Sequence, residues 1–416
     1  MSRRSIKYPY HALVLSFRKC RSRLRPSWDP LQHLPHELVG TIFDHWLWLE
    51  IQDQHPNLSQ LPVLLSLVSK SWRDFVYVNP LLWRFLDINA SKNKICRLAA
   101  LENRMSRTKD VSLVLNVVVE DTPHLEALRV LFSQSHRLYE LQLCITGVFR
   151  PTWWRDVPMG PFSQLRMLAV NAWPMHSKCQ VLTSLRPSFI LDILTACPEL
   201  CFATFDFIAE VDTPSPKRSA VINLLENICA PLLSTFSITW SEDDDRSLIG
   251  PPLETFLSSS PLLRDLTLDN VIHSEASLIK ILRTHSLINK LVFKTICDLP
   301  NLITDRTFRL LTFNERARIL LPQLEVLLMS GGLHGVGSDV IAEFLKSRGA
   351  EWCARDLSQP QNHTGRPGTL KLVELDDCDN SLQHNRGRLW RFEPTSGISL
   401  HIAASAAQHL DLTTLF

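Results

Sequence analysis

The stretch SPLLRDLTLDNVIHSEASLIKILRTHSLINKLVF, residues 260–293, holds two copies of one pattern. An apolar residue, two spacers, an apolar residue, one spacer and an apolar residue recur as Leu263-x-x-Leu266-x-Leu268 and Ile288-x-x-Leu291-x-Phe293. Alternation over the last positions predicts a short strand with one buried face. Between the copies Leu278–Thr284 reads as a helix, and Ser260-Pro261 reads as a break ahead of the first strand. A strand and its returning helix cannot bury their own apolar faces, so such units must stack on neighbours.

Working outward, the same pattern appears as Leu138-x-x-Leu141-x-Leu143, Leu165-x-x-Leu168-x-Val170, Leu200-x-x-Ala203-x-Phe205 and Leu233-x-x-Phe236-x-Ile238. Two further copies are Leu324-x-x-Leu327-x-Met329 and Leu370-x-x-Val373-x-Leu375. Successive first positions lie 27, 35, 33, 30, 25, 36 and 46 residues apart, an irregular period that makes the array degenerate. Helix-like stretches precede several copies, at Ala220–Ile228, Leu253–Ser258 and Val340–Lys346, and Cys197-Pro198, Ala230-Pro231 and Leu321-Pro322 repeat the break. Val111–Val117 reads as an opening strand, residues 353–368 as an inserted loop. The fold class this predicts is α/β, an irregular solenoid of parallel strands and helices over residues 91–395, with 396–416 as a tail or cap.

Ahead of the array the texture is helical. Leu34-Pro35-His36-Glu37-Leu38 opens a helix, with Pro35 in the first turn, where its missing N–H costs nothing, and Glu37 placed favourably against the helix dipole. Leu38, Ile42, Trp46 and Leu49 form one apolar stripe, and Val39, Phe43 and Leu47 a second beside it. A surface helix buries one such stripe, so two stripes predict burial against its own domain and against something else. Residues 52–60 read as a loop, Leu61-Pro62 restarts a helix through Val68, and Ser69 is placed to cap a third helix carrying Trp72, Phe75 and Val76.

The chain of 416 residues is 45% apolar and 21% charged, the composition of a globular protein. Its 44 basic and 42 acidic residues give no overall pull towards nucleic acid. The charge is uneven: residues 1–30 hold eight basic residues and one acid, leaving 36 basic against 41 acidic elsewhere. That start reads as a disordered basic arm, with a mitochondrial transit peptide as the alternative, and Ala12–Phe17 is too short for a signal-peptide core. No apolar run reaches the roughly 18 residues that span a bilayer. Ten cysteines without paired spacing read as reduced core thiols.

The ordered set Leu34-Pro35-x-Glu37-Leu38, Ile42-Phe43, Val68-Ser69-Lys70-x-Trp72-Arg73, Pro80-x-Leu82-Trp83 and Leu86-Asp87-Ile88 resembles an F-box, a three-helix module, here residues 31–90. The array behind it resembles degenerate leucine-rich repeats, and the combination looks most like the large fungal families of F-box-like proteins. In that repeat family an Asn after the strand bonds the turn, a position that Asn171 and Asn270 match. The F-box resemblance implies docking to the Skp-type adaptor of a cullin ubiquitin ligase through Leu34, Pro35, Leu38, Ile42, Phe43, Val68 and Trp72, with Trp72 partly in the core. It implies that Pro80, Leu82 and Trp83 pack the module onto the next part of the chain, and that the repeats bind an unknown protein substrate. The expected protein is then a non-catalytic subunit, cytoplasmic or nuclear, with no cofactor, metal, nucleic acid or membrane in its action. The alternative is an F-box scaffold working outside a ligase.

Chemistry-bearing patterns are sparse. The Gly-rich run Met329–Ser338 lacks the Walker spacing and its Lys, so a tight turn explains it better than a phosphate site. His176, Cys179, Cys197 and Cys201 contain no Cys-x-x-Cys and read as core residues rather than a zinc site. Glu242-Asp243-Asp244-Asp245 lacks the alternating ligands of a calcium loop. His-Glu-x-x-His and Gly-x-Ser-x-Gly are absent. Trp153-Trp154, in the Pro-bounded stretch 151–158, are candidate anchors for a target, against ordinary loop packing.

Overall fold

The computed structural model describes residues 30–52, 58–90, 98–119, 124–146, 157, 160–173, 193, 197–207, 222, 225–226, 230–240, 249–295, 302–313, 319–331, 333, 336–348, 370–377 and 388–392. The chain divides into two compact units, Met1–Asp87 with Ala99–Leu113, and Ile88–Leu98 with Val114–Phe416. The first therefore takes in a segment, Ala99–Leu113, that the sequence reading assigns to the array.

Within the first unit a helical turn at Pro30–His33 leads to α1, His36–Gln52. The first bond of that helix runs from Val39 N–H to Pro35 C=O, 3.1 Å. A 3-10 turn at Leu58–Gln60 runs into α2, Leu61–Ser66, which ends two residues earlier than the sequence predicts. Helix α3, Lys70–Val78, starts at Ser69, whose backbone is extended and whose side-chain oxygen accepts the Trp72 N–H at 3.3 Å, as the capping signal predicts. After it comes a 3-10 turn, Pro80–Trp83. Gly40 lies where α1 passes Asn79, since a Cβ there would meet the Asn79 side chain at 2.7 Å. Leu82 and Trp83 are buried, and the Trp83 indole N–H donates to Val76 C=O at 2.8 Å. Helix α4, Leu98–Arg107, has no counterpart in the sequence reading. From it Leu101 and Met105 enter the core, and the Arg107 guanidinium stacks 4.1 Å from the Tyr77 ring and 4.6 Å from Trp83.

The strands form a sheet of eleven in chain order. They are β1 Phe85–Asn89, β2 Leu113–Val119, β3 Leu138–Thr146, β4 Met167–Trp173, β5 Phe202–Phe207, β6 Thr235–Trp240, β7 Asp265–Asp269, β8 Lys290–Lys294, β9 Val326–Ser330, β10 Leu372–Asp377 and β11 Arg388–Phe392. From β3 to β10 every pairing is parallel, and β11 closes antiparallel on β10. This is an α/β solenoid-like arrangement. Helices α5 Leu125–Phe132, α6 Gly250–Ser258, α7 Glu275–Thr284, α8 Asp305–Leu311 and α9 Ser338–Arg348 connect strands.

The eight pattern copies are the register of that sheet. Leu141, Leu168, Ala203, Phe236, Leu266, Leu291, Leu327 and Val373 are direct partners across successive strands. All are buried, as are the first positions from Leu138 to Leu370. Six first positions share a turn: the amides of Leu165, Leu200, Leu233, Leu263, Ile288 and Leu324 donate to the carbonyl three residues earlier, at 3.1–3.3 Å. The recurring prolines occupy the second residue of this turn, where their fixed φ is already correct. What reads as a break is thus the corner by which each unit enters its strand. Phe236 ties strands to helices, its ring 6.1 Å from Phe205 and 4.9 Å from Phe256 on α6.

Candidate docking surfaces

On α1 the described members of the two apolar stripes, Leu38 and Ile42 against Val39 and Phe43, differ in burial. Val39 is buried and Phe43 half-buried, with the Phe43 ring edge-on to Trp72 at 5.5 Å. Trp72 itself is 9% exposed and belongs to the core. Leu38 and Ile42, one helical turn apart, are 53% and 56% exposed. Pro35 is exposed and Leu34 half-buried beside them in sequence. Val63 and Leu67 are exposed, as are Val68 just past the end of α2 and Tyr77 and Val78 at the end of α3. Sequence reasoning does not single out Val63, Leu67, Tyr77 or Val78. Their signal is faint, because apolar residues in short helices ordinarily point inward.

Seven of the nine exposed large hydrophobics among the described residues lie between Leu38 and Val78. The other two, Leu232 and Leu262, come directly after Pro231 and Pro261, at equivalent corners of adjacent units of the sheet. A scattered exposed leucine is ordinary; their number within one small unit makes that unit the candidate contact surface among the described residues. Two polar contacts tie distant parts of this unit together: Arg84 pairs with Asp44 at 2.9 Å, and Arg104 donates to Ser59 C=O. Burial raises the Asp87 carboxyl above its ordinary value, with the charge of Arg104 pulling the other way.

In the sheet unit the residues alternating with the buried rows form a second, polar face. Its middle row runs Gln142, Ala169, Thr204, Ser237, Thr267, Val292, Leu328 and Glu374 in direct register. A flanking row carries Cys144, Asn171, Asp206, Thr239, Asp269 and Lys294. Asp265 and Asp269 of β7 each lie opposite a lysine of β8, Lys290 and Lys294. Asp206 and Asp269 stand two strands apart, about 10 Å at the usual strand spacing. Burial raises Asp269 above the ordinary carboxylate value, offset by Lys294 and reinforced by the like charge of Asp206. Glu140 on β3 is likewise raised by burial. Towards β9 and β10 the face turns apolar, through Val326, Leu328 and Leu372.

The remaining sequence candidates are structural. Cys197 is buried, its thiol pushed up to about 12 by burial and donating to Ile193 C=O at 2.7 Å, while the Cys201 thiol donates to Glu199 C=O at 3.2 Å. A buried, protonated thiol such as Cys197 is unreactive. Gly331 has φ +77°, and a Cβ there would run into the Thr295 carbonyl, so the described part of the Gly-rich run is a close-approach turn. Asn270 takes the left-handed conformation suited to a turn asparagine. Asn171 instead lies inside β4, so the turn role expected for it does not hold. Trp153, Trp154, His176, Cys179, Asp243–Asp245, the basic arm 1–29, the loop 353–368 and the tail 396–416 fall outside the described residues.

Among the described residues no group of three His, Cys, Asp or Glu side chains is placed to hold a metal ion. No described helix is long and apolar enough to cross a membrane. No protein-family model matches the chain, and no curated protein matches it in sequence.

Proposed function

We propose that this protein is the substrate-recognition subunit of an SCF-type cullin ubiquitin ligase. Its helical unit acts as the F-box that docks to the Skp-type adaptor, and its leucine-rich-repeat-like array receives the target protein. The observation that carries the reading is the outward stripe Leu38–Ile42 within a unit that concentrates exposed apolar side chains. Burying the exposed half of these two side chains contributes about 1.5–3 kcal/mol in area terms, before the cost of association. Leu34, Pro35 and Val68 extend the contact, while Phe43 and Trp72 hold the helix from behind. The polar face of the sheet, with its carboxylates, hydroxyls and lysines, takes the target. The mechanism is tethering: fixing a target near the conjugating machinery raises its effective concentration without acid–base chemistry in this chain.

Co-purification of the full chain with a Skp-type adaptor tests the reading. Leu38→Glu combined with Ile42→Glu should abolish it while the thermal midpoint stays unchanged, because both side chains already face water. Failure of the unaltered chain to bind adaptor would contradict the ligase reading and leave the scaffold.

A further inference from the structure

Helices α6 to α9 each return the chain between parallel strands, so they run in one direction. Parallel neighbours set like ends of their macrodipoles side by side, which is unfavourable unless opposite charge sits at those ends. At the starts of α7, α8 and α9 carboxylates do this, each reaching forward from the preceding helix. Glu254 of α6 accepts the Ser277 hydroxyl in the first turn of α7 and pairs with Lys280 at 2.5 Å. Glu275 in the first turn of α7 reaches the start of α8, where its Oε1 accepts the Thr304 N–H (3.0 Å) and hydroxyl (2.6 Å) and the Thr307 N–H (3.2 Å) and hydroxyl (2.6 Å). Asp305 in the first turn of α8 accepts the Gly337 N–H, just ahead of α9, at 2.8 Å.

At their C-terminal ends α8 and α9 are joined in the opposite sense. Arg348, the last residue of α9, is fully buried and has no carboxylate partner among the described residues. Its guanidinium donates to the C=O groups of Leu311 (2.7 Å), at the end of α8, and of Leu320 (2.8 Å) and Leu321 (2.9 Å). Ser347 beside it accepts the Phe313 N–H at 3.0 Å. Between the clamped ends the Phe308 and Phe344 rings pack edge-on at 5.5 Å.

We infer that these staples make α6 to α9 one cooperative block, a conformational relay in which loosening one helix start loosens the helices on either side. The first turns of α7 and α8 each carry both an acceptor for the next helix and donors for the previous one. A change at one start therefore alters the cap of its neighbour, which ordinary side-by-side packing does not require.

Hydrogen exchange on the full chain compares the unaltered protein with Glu275→Ala. Removal of one charged acceptor predicts about ten- to hundredfold faster exchange in the first turn of α8. The relay predicts a further rise, about threefold or more, in α7 and α9, with β3 and β4 unchanged. A rise confined to α8, or one of equal size in β3 and β4, overturns the inference. Glu275→Gln keeps an acceptor oxygen and replaces the alanine variant should that fail to fold; it should show the same spread at smaller size, and confinement to α8 overturns the relay equally. Glu343→Ala, at an exposed site on α9, should change none of these rates, and a comparable rise there would assign the effect to general destabilisation and overturn the staple.

Discussion

Leu38 and Ile42 on α1 leave more than half their surface in water, while Leu266 and Leu291, partners on neighbouring strands, leave none. Both pairs belong to recurrent apolar patterns, yet only the second serves its own fold. In the sheet unit each apolar row is matched by the next strand, so burial is complete without a partner. In the helical unit Phe43 of α1 packs against Trp72, while Leu38 and Ile42 stay more than half exposed. The difference separates residues whose loss should unfold the chain from those whose loss should only disconnect it.

The largest effect is expected inside the sheet unit. Phe236→Ala removes a ring held between Phe205 and Phe256 and should lower stability by about 3–5 kcal/mol, read by chemical denaturation. A loss below about 1 kcal/mol would mean that the aromatic row does not organise the solenoid.

The next contrast lies on α1 itself. Phe43→Ala, losing the edge-on contact with Trp72, should cost about 2–3 kcal/mol, whereas Leu38→Ala should stay within about 0.5 kcal/mol. Equal costs in thermal melts would erase the distinction between the two stripes.

The carboxylates sharpen the comparison through pH. Burial opposes the charge of Glu275, but hydrogen bonds from Thr304 and Thr307 outweigh it and hold the carboxyl below its ordinary value. Its stabilisation is therefore present above the unfolded carboxylate pKa, about 4.3, and lost as pH falls through the lower folded value. Stability measured down through that range should fall more steeply in the unaltered chain than in Glu275→Ala. Asp269 has the opposite sign: its raised folded pKa disfavours the charged form, so stability rises as pH falls through that value. Asp269→Asn should accordingly raise stability near neutral pH by about 1 kcal/mol or less, the smallest effect of the set. A clear loss would show that the charge is structural and not held ready on an open face.

Much of the sheet unit is legible in the sequence because its signal is local and repeated. The alternation at Leu266 and Leu268 recurs at Phe236 and Ile238 and again at Leu327 and Met329, and strand pairing forces those positions into one register. Helix α7 is visible in Leu278–Thr284 for the same reason, although its start at Glu275 is not. Strand β1 is hidden, since Leu86-Asp87-Ile88 reads as part of the helical module. Helix α4 has only the short stripe Leu98, Leu101 and Met105, inside a segment whose texture reads as the start of the array. The staples are invisible because Glu275 and Thr304 lie 29 residues apart, and only the fold brings them together. Of the exposed apolar residues, Leu38 and Ile42 are placed by the double stripe. Tyr77 and Val78 are not, because nothing in α3 alone tells which apolar residue misses the core.

Calorimetric titration of the full chain with a Skp-type adaptor tests the central claim most directly. Docking through α1 predicts saturable one-to-one binding with a negative heat-capacity change, the mark of apolar burial, and its loss in the combined Leu38→Glu and Ile42→Glu variant. Absence of binding, or binding that survives both substitutions, would contradict it.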